Sequence, residues 1–90
     1  MLNLTGLPGV AGGKIDSATY FSDVADALRQ LDKHRAVLAA GDCGAVTVYV
    51  DDAGKYRCAM HRRMFTLNES IVSSKAAVRA WLKRWHPQIQ

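Results

Sequence analysis

The chain predicts a single α+β domain in the order α-β-β-β-α, with two helices packed on one face of a small antiparallel sheet. Three observations lead there. Apolar residues recur at three- and four-residue spacings from Phe21 to Leu38. They alternate with other side chains on either side of a turn, from Val46 to Met60, and helical spacing returns between Val78 and Trp85. Ninety residues, 49% of them hydrophobic and 22% charged, suit one folded core and not two.

Residues 1–16 read as an irregular lead to a domain spanning 17–90. The lead holds Gly6, Gly9, Gly12, Gly13 and Pro8, and Leu2, Leu4, Leu7 and Val10 suit either an apolar strip over the core or a short edge strand. Gly12-Gly13-Lys14 invites comparison with a phosphate loop. The motif fails, because its first glycine falls at Pro8 and Ile15 stands where Ser or Thr must hold the metal.

Helix one is expected from about Thr19 to Ala40, with Phe21, Val24, Ala25, Leu28, Leu31 and Leu38 on its inner face. Ser17, Thr19 and Ser22 are acceptable N-caps, Asp23 and Asp26 favour the positive helix end, and Gly41 is a natural terminator.

A hairpin follows. Its arms are Cys43–Val50 and Lys55–Arg63, rich in β-branched and aromatic residues. A three-residue loop, Asp52-Ala53-Gly54, places Asp51 opposite Lys55 and asks for a positive φ at Gly54. In that register Val50 faces Tyr56, Val48 faces Cys58 and Val46 faces Met60, all on one side. The other side carries Ala45, Thr47, Tyr49, Arg57, Ala59 and His61, with Tyr49 across from Arg57.

Met64–Leu67 extend the second arm in this scheme, Asn68-Glu69 turn, and Ser70-Ile71-Val72 make a short third strand. The alternative is one long helix capped by Asn68. The strand is preferred, because Ser73 and Ser74 are better caps than helix interior. Helix two then runs from about Ser74 to Trp85. Val78, Trp81, Leu82 and Trp85 face inward, Lys75, Arg79, Lys83 and His86 form an adjoining stripe, and Pro87 stops it.

No apolar run approaches the roughly 18 residues that span a membrane, and the start lacks the basic and apolar regions of a secretory signal. These point to a soluble, cytoplasmic protein. Cys43 and Cys58 lie far apart along the hairpin, so two reduced thiols are expected. Catalytic geometry does not assemble: Cys58 and His61 point to opposite strand faces, and His34, His61 and His86 lack metal-ligand spacing. The sequence therefore points away from an enzyme and calls for no cofactor, metal or small-molecule substrate.

Charge is uneven. Residues 1–42 hold four basic and five acidic side chains, net −1, whereas residues 43–90 hold eight basic and three acidic, net +5. A basic C-terminal half implies a polyanionic or acidic partner. The candidate binding residues are Tyr49, Arg57, His61 and Arg63 from the hairpin, and Lys75, Arg79 and Lys83 from helix two. The sheet residues are expected on an open face that neither helix covers.

Ser73-Ser74-Lys75-Ala76-Ala77 resembles the phosphate-contacting helix start of double-stranded-RNA-binding domains, whose element order is the one expected here; Lys75 matches a functional position. Residues 74–82 also resemble the helix closing the arm-binding domain of tyrosine recombinases, which lays its sheet in the DNA major groove. These resemblances imply nucleic-acid binding. In style, a compact meander with an Ala-Trp-Leu helix is similar to small phage proteins such as anti-CRISPR inhibitors. That likeness implies the alternative, a protein binding and inhibiting an acidic surface of a host complex.

Overall fold

The computed structural model describes residues 19–63 and 65–90. The expected lead, with Leu2, Leu4, Leu7 and Val10, lies outside them. The fold is α+β, but its order is β1 (Thr19–Tyr20), α1 (Val24–Leu31), β2 (Ala36–Gly41), β3 (Gly44–Val50), β4 (Tyr56–Arg62), β5 (Phe65–Val72) and α2 (Lys75–Trp85). A terminal 3₁₀ turn covers His86–Ile89. The five strands form one sheet in sequence order. It is mixed and not purely antiparallel, because β1 pairs parallel to β2 through the α1 crossover.

The long first helix is thus corrected to one of eight residues followed by a strand. Asp23, and not Ser17, Thr19 or Ser22, caps α1: its Oδ1 accepts from the Asp26 N–H at 2.8 Å. Val24, Ala27, Leu28 and Leu31 face the core, whereas Ala25 is exposed. Leu38 lies in β2. Gly41 ends that strand and does not terminate a helix. β2 escaped detection because Ala36, Val37, Leu38 and Ala39 are all buried, and a strand covered on both sides shows no alternation.

The β3–β4 hairpin has the expected register, with Val50 opposite Tyr56, Val48 opposite Cys58, Val46 opposite Met60 and Tyr49 opposite Arg57. Asp51 organises its turn, accepting the Ala53 and Lys55 backbone N–H groups on Oδ1, both at 2.9 Å. Gly54 sits at φ 79° with no atom within 4 Å of a would-be Cβ. Gly54→Val should therefore cost strain alone, about 1–2 kcal/mol, and lower the melting temperature; an unchanged midpoint would contradict the turn.

The expected turn at Asn68-Glu69 is replaced by continuous strand from Phe65 to Val72. Asn68 is held on the sheet by a bond to α2, its Oδ1 accepting the Trp81 Nε1–H at 3.0 Å. The reversal into β5 comes earlier, where Arg63 adopts φ 57°. Ser74 caps α2, its Oγ accepting from the Ala77 N–H at 3.2 Å.

Both helices lie on the Val46–Met60 side. The core joins Val46, Val48, Cys58 and Met60 to Phe21, Ala27 and Leu31 and to Val78, Trp81, Leu82 and Ile89. Val24, Leu28, Val50, Tyr56 and Trp85 pack around it, half-buried. No helix among the described residues is long and apolar enough to cross a membrane.

Candidate nucleic-acid interface

The two faces of the sheet do not differ as their residue types predict. On the side away from the helices Tyr49 is 6% exposed and His61 1%, and Leu38, Thr47 and Ala59 are buried with them. This corrects the expectation of an open face presenting Tyr49 and His61. Thr47, His61 and Arg57 on that side find partners within the fold. The His61 ring lies between two hydroxyls, Nε2 at 3.1 Å from Thr47 Oγ1 and Nδ1 at 3.4 Å from Thr66 Oγ1. Arg57 is exposed but engaged: its Nε–H donates to Asp51 Oδ2 at 2.9 Å. The Lys55 backbone N–H is the main cause of the depressed Asp51 pKa, and Arg57 adds to it.

Burial pushes the His61 pKa below its ordinary 6.5, against a smaller opposing pull from Glu69. Below that pH the unfolded chain takes up a proton that folded His61 resists, so stability should fall as pH drops through 6.5 towards the folded value. Asp26 and Asp51, whose pKa values are lowered by hydrogen bonds, lose their contributions only in the acid carboxylate range. Chemical denaturation between about pH 7.5 and about pH 5, which brackets an ordinary histidine titration, should show the loss in the wild type and a flatter profile in His61→Gln. A flat wild-type profile would contradict a buried neutral histidine.

Both thiols are free. Cys58 is buried and its pKa is pushed up to about 12 by desolvation, which leaves it inert, and Cys43 is exposed. Among the described residues no group of three or more His, Cys, Asp or Glu side chains is placed to hold a metal ion.

At the β3–β4 end of the sheet three cations meet carboxylates: Arg57 pairs with Asp51, Arg35 with Asp52 at 3.8 Å, and Lys75 with Asp32, whereas Lys33 and Lys55 there are exposed and in no ion pair among the described residues. Lys75, at the start of α2, is thereby drawn away from the rest of its stripe. Arg29 pairs with Asp26 on α1 at 3.2 Å. At the opposite end Arg62 donates its Nε–H to the Cys43 carbonyl at 3.0 Å, and the Cys43 N–H donates to the Ile89 carbonyl at 2.9 Å. Those two bonds tie the β4–β5 connection, the β2–β3 turn and the terminal 3₁₀ turn into one corner.

Arg62 and Arg63 are exposed at this corner, and α2, whose exposed Lys83 and Arg84 project about 100° apart around the helix, runs into the 3₁₀ turn that the corner holds. Arg79 lies one turn earlier than Lys83 on the same exposed face. None of these five is in an ion pair among the described residues. α2 contains no acidic residue, and Asp42 is the one carboxylate in the neighbouring turns. Arg84 stacks its guanidinium over Trp85, 5.3 Å from the ring centroid.

Of the sequence candidates, then, Arg63, Arg79 and Lys83 are exposed and in no ion pair among the described residues, and Arg79 and Lys83 share one face of α2. Tyr49 and His61 are buried, and Arg57 and Lys75 are ion-paired. Arg62 and Arg84 escaped selection, although the doublets Arg62-Arg63 and Lys83-Arg84 are visible in the sequence. No family model matches the chain, and neither a curated protein nor a solved structure matches it.

Proposed function

We propose that the chain is a small nucleic-acid-binding module that grips the phosphate backbone through Arg62, Arg63, Arg79, Lys83 and Arg84. One observation carries the reading: Arg62 and Arg63 at one corner, and Arg79, Lys83 and Arg84 on α2, are exposed and form no ion pair among the described residues, while the other arginines and Lys75 are paired with carboxylates. Unpaired surface cations are what a polyanion recruits, because binding releases the counterions condensed on it. Arginine forks and lysine ammonium groups suit phosphate oxygens and carry no base identity by themselves.

The test is fluorescence anisotropy with a labelled oligonucleotide across salt concentrations. The logarithm of affinity should fall linearly with the logarithm of salt, with a slope of roughly −3 to −4.5 if most of the five cations meet phosphates. No binding at low salt, or binding indifferent to salt, would overturn the proposal. A chain whose partner is instead an acidic protein surface would leave the oligonucleotide unbound.

A further inference from the structure

The register between β4 and β5 shifts at Met60/His61: Met60 faces Asn68, but His61 faces Thr66 and Arg62 faces Phe65. One β5 residue, Leu67, is extra. Such a bulge breaks the alternation of side chains, so Thr66 and Leu67 both lie opposite His61. The Thr66 hydroxyl at His61 Nδ1 agrees with that placement. Phe65 consequently falls opposite Arg62, on the side of the sheet that carries α2, and not on the His61 side where unbroken alternation would put it.

Phe65 is 70% exposed, the most exposed large hydrophobic side chain among the described residues. It is therefore an uncovered aromatic ring set beside Arg62 and Arg63, on the same side and at the same end as Lys83 and Arg84. An aromatic face flanked by phosphate-binding cations is the pairing that holds unstacked bases. A duplex offers its backbone to such a surface but keeps its bases stacked inside, so only an unpaired strand supplies both contacts.

We propose that Phe65 is a base-stacking platform and that the preferred ligand of this surface is single-stranded nucleic acid. This rests on the backbone-binding reading above and adds the substrate class to it.

The test measures affinity for a single-stranded oligonucleotide, a duplex of equal length, and a single strand carrying abasic sites, against wild type, Phe65→Ala and Phe65→Trp. Circular dichroism checks that the variants fold, which an exposed position favours. The wild type should prefer the intact single strand. Phe65→Ala should lose roughly tenfold on that strand, with little change on the duplex or the abasic strand and with the salt slope intact, and Phe65→Trp should retain or gain affinity. Binding of all three probes, undiminished in Phe65→Ala, would overturn the stacking platform and leave the backbone reading standing. Failure to bind any probe at low salt would overturn both.

Discussion

Gly41→Ala should destabilise the domain by roughly 2–4 kcal/mol, at or beyond the upper end of ordinary overpacking costs. A Cβ at Gly41 would sit 2.1 Å from the Ile89 carbonyl oxygen and 2.9 Å from its carbon. Neither group has room to yield. Gly41 is held in the ladder opposite Gly44, and the Ile89 carbonyl is fixed by the Cys43 N–H while its side chain is 1% exposed. The added methyl must therefore prise the terminal 3₁₀ turn off the β2–β3 turn and loosen the corner that positions Arg62. A urea titration checks this; a midpoint equal to that of the wild type would mean that the turn does not rest on Gly41.

Leu82→Ala should cost about 2–5 kcal/mol, the range for emptying a buried leucine site. Leu82 is 0% exposed and sits among Val78, Trp81 and the sheet residues of the core. Domains of this size are stable by roughly 5–15 kcal/mol, so the loss is a large fraction of the whole. Ala80→Ser on the exposed side of the same helix provides the contrast and should change stability by roughly half a kilocalorie per mole at most. Equal losses at the two positions would mean that the helix is rotated from its assigned face.

The hairpin was legible because two independent signals agree there. The loop Asp52-Ala53-Gly54 sets a register, and that register gathers Val46, Val48, Val50, Tyr56, Cys58 and Met60 on one side. Helix α2 was legible from its spacing and from Ser74. β2 was not, since Ala36–Ala39 are apolar without period and Leu38 falls by chance at a helical interval from Leu31. Gly41 illustrates the same limit. Its presence reads as a helix stop, whereas its role is to let a distant carbonyl approach, which no local pattern encodes. In β5 the exposed Leu67 and Ile71 alternate with half-buried neighbours, but Asn68 and Glu69 mimic a turn. The candidate site divided similarly. Net charge located the basic half, but only three-dimensional pairing separates Arg57 and Lys75, which are engaged, from Arg62, Arg79, Lys83 and Arg84, which are not in ion pairs among the described residues.

Position, and not net charge, is the central claim, and a charge-matched comparison tests it most directly. Arg79→Ala/Lys83→Ala and Lys33→Ala/Lys55→Ala each remove two exposed positive charges, the first pair from the α2 face and the second from loops at the far end of the sheet. Affinity for a single-stranded oligonucleotide is measured for both at several salt concentrations. The first double variant should bind more weakly and show a salt slope shallower by about 1.4, the change expected when two phosphates of a single strand are no longer neutralised, while the second follows the wild type. Equal weakening by the two pairs would contradict the account, because attraction would then follow overall charge and owe nothing to the surface that α2 presents.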